Sequence, residues 1–314
     1  MAPKYPIHKD FAFIPSINQR FSRVPIAATN ALIRLSRIIQ RTTHPGVEVI
    51  EHSIPGRINP IRLKLFRPAS GTQNKKRPCL VYFHGGAFAL TYVGPHLISA
   101  AVYADRLDAV VVFVEYTLMS KAAFPAGFND CYDATVWTYE NADILGVDKR
   151  RLFVGGDSAG GGLAATVAQK ALDENHISIC GQLLIYPVID RSCSTESAKK
   201  FRDTPIWTGV SNERMWKKYL ENYPDNDAPQ YAAAADRKNL SGLPPAYVEL
   251  AEFDPLHDEG LQYAERLNNA GVKVELFDTK GTIHGYDGIA PKNATSIEAM
   301  DRRIAFLKTC INAF

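Results

Sequence analysis

The segment Leu152-Phe153-Val154-Gly155-Gly156-Asp157-Ser158-Ala159-Gly160-Gly161-Gly162 constrains the fold of this chain more than any other. A short apolar strand runs straight into Gly-x-Ser-x-Gly, and an alanine-rich helical stretch, Leu163 to Ala171, follows at once. Strand can turn into helix this sharply only where small residues flank the turn, because the two backbones pass close to each other. The turn strains the serine backbone and lifts its hydroxyl to the N-terminus of the new helix, where the helix dipole favours developing negative charge. These are the requirements of a nucleophile elbow, and they single out Ser158.

Other glycine-rich turns have different demands. A phosphate loop needs Gly-Lys-Ser/Thr, and no lysine precedes Ser158. A dinucleotide-binding turn opens the first βα unit and is followed by an acidic residue after the next strand, whereas this turn is mid-chain with Asp157 before the serine. A turn that merely joins strand to helix would also fit the spacing, so the remaining chemistry must be found elsewhere in the chain.

A serine hydroxyl is a poor nucleophile near neutral pH and needs a base, a group that orients the base, and donors for the oxyanion. In folds with an elbow the chain order is Ser, then Asp or Glu, then His. Three histidines follow Ser158: His176, His257 and His284. His176 closes the helix that starts at the serine, where the dipole favours it. His284 lies in a glycine-flanked loop, Lys280-Gly281-Thr282-Ile283-His284-Gly285-Tyr286, after the strand-like Val272–Phe277, and is the expected base, ahead of His257. Asp254 stands just past the strand end in Ala246–Pro255, which reads as strand followed by loop, and before Pro255, and is the expected orienter; Glu252 is its rival, while Asp258 and Glu259 read as acids of a helix first turn. The oxyanion donors are expected from Ala159 and from Gly85 and Gly86 in His84-Gly85-Gly86-Ala87-Phe88, a loop that follows the apolar strand Cys79–Phe83. His84 reads as a buried orienter of that loop.

Four motifs therefore occur in one order: His84-Gly85-Gly86-Ala87, Gly156-Asp157-Ser158-Ala159-Gly160-Gly161, Phe253-Asp254-Pro255-Leu256-His257-Asp258-Glu259-Gly260 and His284-Gly285-Tyr286. Together they resemble the hormone-sensitive-lipase-like esterases of the α/β-hydrolase superfamily, over roughly three quarters of the chain from Pro78 onward. The resemblance implies a Ser158, Asp254, His284 triad, an oxyanion hole from the N–H groups of Gly85, Gly86 and Ala159, and hydrolysis of carboxylic esters. Tyr186-Pro187 also matches the family habit. The chain departs from it at Ala87, where a third glycine is common, at Gly162, where many members carry Asn, and at Glu115-Tyr116-Thr117-Leu118, which replaces Asp-Tyr-Arg-Leu. Met119-Ser120-Lys121-Ala122 likewise lacks the usual Ala-Pro-Glu.

Apolar strand-like segments recur at 47–54, 61–66, 79–83, 109–115, 151–154, 182–185, 247–250 and 272–277, and from Cys79 they alternate with helical stretches. This predicts an α/β fold, a mainly parallel eight-stranded sheet flanked by helices, with the first two strands joined by Pro55-Gly56 as an edge hairpin. Two segments fall outside the alternation. Residues 1–45 carry a helical pattern from Ile17 to Gln40 with Phe21, Ala28, Leu32, Leu35, Ile38 and Ile39 on one face, and residues 190–236 are rich in aromatics. The expected organisation is an N-terminal cap segment 1–45, a core split into 46–189 and 237–314, and a cap insertion 190–236, the two cap pieces forming a helical cap over the elbow.

A net charge of +3, spread along the chain, excludes an electrostatic case for nucleic acid. Five cysteines without metal or redox spacing read as reduced thiols in a cytoplasmic protein. The sequence shows no leader-like opening and no apolar run of membrane-spanning length. The basic amphipathic N-terminal helix leaves surface contact with a membrane as a secondary expectation. The expected partner is a small-molecule ester, with no metal or organic cofactor, acting on a monomer or homodimer; a capped pocket favours short- to medium-chain acyl esters. Two other readings share the residues: an amidase or formamidase using the same triad, and a ligand receptor that kept the fold without catalysis. The second should lack a triad member, and here all three positions are filled.

Overall fold

The computed structural model describes residues 4–11, 23–39, 44–69, 76–223 and 227–313. Eight strands form one sheet: β1 Val47–Ile54, β2 Ile61–Pro68, β3 Arg77–Phe83, β4 Val110–Glu115, β5 Val147–Asp157, β6 Gly181–Ile185, β7 Ala246–Phe253 and β8 Val274–Ile283. Their order is β1-β2-β4-β3-β5-β6-β7-β8. β1 and β2 form the expected edge hairpin, β2 joins β4 antiparallel, and every later pairing is parallel. β5 and β8 run further than the apolar runs at 151–154 and 272–277 suggested, because ladder pairing continues through residues of mixed polarity.

Central strands are buried on both sides, as parallel strands covered by helices must be. Alternate residues of β3 show the division. Cys79, Val81 and Phe83 belong to one core cluster, which includes buried residues of α3 (Ala126–Glu140) and α5 (Ala159–Glu174). Leu80 and Tyr82 belong to a second, with residues of α2 (Gly94–Leu107) and α10 (Ala294–Ile311); the short α4 (Ala142–Leu145) precedes β5, and α9 (Tyr286–Ile289) follows β8. The parallel strands expose their carboxyl ends along one rim, where open α/β sheets bind ligands. β3 leads there into His84, β5 into Ser158, β7 into Asp254 and β8 into His284.

Helix α1 (Arg23–Ile39) confirms a helix in the N-terminal segment but turns a different face inward. Ala28 is exposed, and Leu32 and Leu35 are 68% and 57% exposed, whereas Ile26 and Asn30 are buried. The reason is polar: Asn30 Nδ2 donates to Ala89 O (2.9 Å), and Thr91 N–H donates to Asn30 Oδ1 (2.8 Å). One amide thus satisfies two groups of the loop after β3, and its rotation fixes which apolar residues face solvent. Phe21, and the side chains of Ile38 and Ile39, lie outside the described residues.

Between β6 and β7 the chain forms α6 (Glu196–Lys200) and α7 (Gly209–Tyr219), each started by a threonine whose hydroxyl caps the helix. The Tyr219 ring stacks on Phe88 of the β3 loop at 4.0 Å. The N-terminal segment meets the same insertion through Lys4 Nζ and Tyr5 OH, which reach Asp203 at 2.6 and 2.7 Å. The cysteines are free, and among the described residues no helix is long and apolar enough to cross a membrane.

Candidate active site

Ser158 links β5 to α5 with φ 54° and ψ −120°, a left-handed conformation that strains any residue with a Cβ. Its surroundings over-determine that conformation. Ser158 N–H donates to Ile185 O (2.8 Å), and Ser158 O accepts from Val188 N–H (3.0 Å) and Gly162 N–H (3.1 Å). The glycines on either side are there for contact: a Cβ on Gly160 would lie 1.9 Å from Phe83 O, and one on Gly156 would lie 2.3 Å from the same atom.

His284 follows β8, and its Nε2 lies 2.8 Å from Ser158 Oγ while its Nδ1 lies 2.6 Å from Asp254 Oδ2. Asp254 is fully buried, and its Oδ1 accepts the Leu256 N–H at 3.0 Å. A carboxylate against Nδ1 fixes the proton there and leaves the Nε2 lone pair for the serine hydroxyl. The structure therefore brings together the three residues expected to form a triad. The rivals lie elsewhere. His176 follows α5 and pairs with Glu140 at 3.0 Å, and His257 opens α8 (His257–Asn269) with Nδ1 2.8 Å from Asp258. Glu252 accepts the Gly281 N–H at 2.7 Å, which ties β7 to the strand leading to His284.

The loop after β3 corrects one expectation. Gly85 N–H is donated to Asp157 Oδ1 at 3.1 Å, so it is already engaged. The N–H groups of Gly86, Ala87 and Ala159 carry no hydrogen bond among the described residues. Gly86 needs its φ of 117°, and a Cβ there would meet Leu90 O at 2.7 Å; Ala87 follows at φ 55°. His84 behaves as an orienter: its Nδ1 lies 2.7 Å from Gly85 O, its ring stacks on Tyr116 at 4.5 Å, and Tyr116 OH donates to His84 O at 2.8 Å.

Asp157 emerges as a clamp that the sequence did not reveal. Its Oδ1 also accepts Tyr82 OH (2.8 Å), and its Oδ2 lies 3.2 Å from His96 Nε2. His96 in turn accepts the Val93 N–H at Nδ1 (3.0 Å), closing the N-terminus of α2. Burial would push the Asp157 carboxyl up, but attraction to His96 and the hydrogen bonds from His96 and Tyr82 outweigh it and bring the pKa down to about 2.

A second unforeseen group steadies the His284 loop. Arg303 of α10 is 1% exposed and reaches Asp287 Oδ2 at 2.6 Å and Glu249 Oε2 at 2.9 Å, with a further bond to Glu249 Oε1. Asp287 Oδ1 also accepts Tyr186 OH at 2.5 Å, and the Tyr186 ring stands edge-on to His284 at 5.0 Å. Burial alone would lower the Arg303 pKa; Glu249 and Asp287 push it well above the usual range. The signal in sequence was slight: an arginine on the apolar face of the last helix, where a charge requires a partner.

A cavity of about 300 Å³ opens onto Ser158 and His284, walled by Ala87, Leu90, Val93, Ile206, Trp207 and Ile289. The shape suits a small ligand held by apolar contacts near a few polar groups.

Comparison with known proteins bears on the family and the fold. A family described as having the α/β-hydrolase fold matches residues 80–287. The chain is 33% identical to esterase LipI of Mycobacterium tuberculosis over 279 residues, covering 89% of this chain and 87% of that protein. It is 37% identical to carboxylesterase NlhH of the same organism over 238 residues, 75% of each. Among solved structures, a bacterial heroin esterase superposes with a TM-score of 0.86 at 33% identity, covering 97% of this chain and 98% of that one. With fold, rim and sequence in agreement, the chain belongs to the hormone-sensitive-lipase-like esterases of the α/β-hydrolase superfamily.

Proposed function

We propose that this chain hydrolyses short- to medium-chain carboxylic esters by two-step acyl transfer, with Ser158 as nucleophile, His284 as general base and Asp254 as the group that orients it. The observation that carries this reading is the pair of hydrogen bonds at His284, 2.8 Å to Ser158 Oγ and 2.6 Å to Asp254 Oδ2. His284 takes the serine proton as Oγ attacks the ester carbonyl, then gives it to the departing alcohol. Water repeats the sequence on the acyl-enzyme and releases the acid. Asp254 keeps its charge throughout and stabilises the imidazolium.

The oxyanion is received by the N–H groups of Gly86, Ala87 and Ala159, which have no other hydrogen bond among the described residues. Gly85, whose N–H is held by Asp157, serves as the anchor of that loop. Residues 190–236, with α1, act as a cap: Trp207 of this insertion lies 6.1 Å from the His284 ring and forms part of the cavity wall. The size of the cavity, about 300 Å³, favours small acyl and alcohol groups.

A p-nitrophenyl ester series from acetate to dodecanoate tests this reading with wild type and Ser158→Ala. The expected result is an optimum at short to medium chains, with turnover abolished in the variant. Faster hydrolysis of the longest ester, or turnover that survives in Ser158→Ala, would overturn it.

A further inference from the structure

The cavity beside Ser158 is unevenly charged. Asp157 and Asp287 both line it, and none of its described lining residues is a lysine or arginine. The cation behind it is Arg303, which is shared between two carboxylates, Glu249 and Asp287, and so neutralises only one of them. Asp157 is ionised above a pKa of about 2, and the cationic group it contacts is His96, with Nε2 at 3.2 Å from Oδ2. Asp254 adds a further carboxylate beneath His284. With or without a second proton on His96, the carboxylates around the cavity outnumber the cations.

An anion entering such a site exchanges water for a low-dielectric cleft in which carboxylates outnumber cations, and both changes oppose it. An ammonium meets the opposite field, and a neutral ester meets neither. We infer that the cavity selects its esters by charge, accepting neutral and ammonium-bearing esters and rejecting those that carry a carboxylate near the scissile bond. This rests on Ser158 being the esterase nucleophile.

The test compares three acetates of similar size in the intact protein: acetylcholine, its neutral isostere tert-butylethyl acetate, and the anionic acetoxybutanoate, each followed by acid release. At low ionic strength the anion should show kcat/KM at least roughly ten-fold below the neutral ester, with acetylcholine equal to or above it, and added salt should narrow the gap. Ser99 lies in the cavity wall on α2, so Ser99→Lys introduces an ammonium there. This variant should raise the ratio of anionic to neutral turnover by roughly ten-fold. Hydrolysis of the anion within two-fold of the neutral ester in wild type, or a salt-independent gap, would overturn the inference while leaving the esterase reading intact. Neutral acetate turnover that survives in Ser158→Ala would remove the esterase reading and this inference with it.

Discussion

Gly85 gives its backbone N–H to Asp157 Oδ1 at 3.1 Å, joining two segments 72 residues apart. The bond ties the first glycine of the β3 loop to the residue before the nucleophile. The next N–H groups of that loop are thereby set beside Ser158 by the side chain of the residue that precedes it. Because Asp157 is itself held by Tyr82 and His96, the loop position depends on three side chains from three elements.

Asp157→Ala should therefore damage catalysis more than binding. The expected loss is roughly ten- to hundred-fold in kcat with KM changed only a few-fold, since the oxyanion donors act mainly in the transition state. Asp157→Asn, which keeps an acceptor for Gly85 N–H, should recover part of the loss. Steady-state kinetics on one p-nitrophenyl ester decides this; a rise in KM at constant kcat would contradict it.

Arg303→Met should be costly to stability. It leaves Glu249 fully buried and Asp287 mostly so, both without their cation, and breaking a buried pair in this way costs about 3–5 kcal/mol. Urea unfolding measures the loss. Catalysis should fall as well, because Asp287 anchors the loop that carries His284.

Glu259 predicts a pH dependence of stability. Its Oε1 accepts the N–H groups of Ile189 (2.6 Å) and Asp190 (3.2 Å), but complete burial dominates and pushes its pKa well above the usual carboxyl range. A group whose pKa rises on folding contributes stability that is fully present below its unfolded pKa and lost as pH climbs through the folded value. Glu259→Gln keeps the acceptor and removes the titration. The variant should thus gain on wild type over the pH window above the ordinary carboxyl range in unfolding experiments. A constant difference across that window would show that Glu259 does not titrate there.

Much of the site could be read in the sequence because its signals are local. The strand-turn-helix around Ser158, the acid just after β7 and the histidine just after β8 each declare themselves within a few residues. The Gly85–Asp157 and Arg303–Glu249 contacts were not legible, because each joins residues far apart in sequence whose meeting depends on the strand order. α1 failed for a different reason. Its apolar periodicity placed Leu32 and Leu35 inward, but the two hydrogen bonds of Asn30 outweighed that pattern and turned them to solvent. Hydrophobic periodicity carries no term for such a polar anchor.

The most direct test of the account is to label the protein at neutral pH with a fluorophosphonate and locate the adduct by peptide mass spectrometry. Stoichiometric label on Ser158 in wild type, with labelling of His284→Asn slowed by orders of magnitude, is the predicted result. Label on another residue, or Ser158 labelled equally fast without His284, would contradict the claim that His284 activates Ser158.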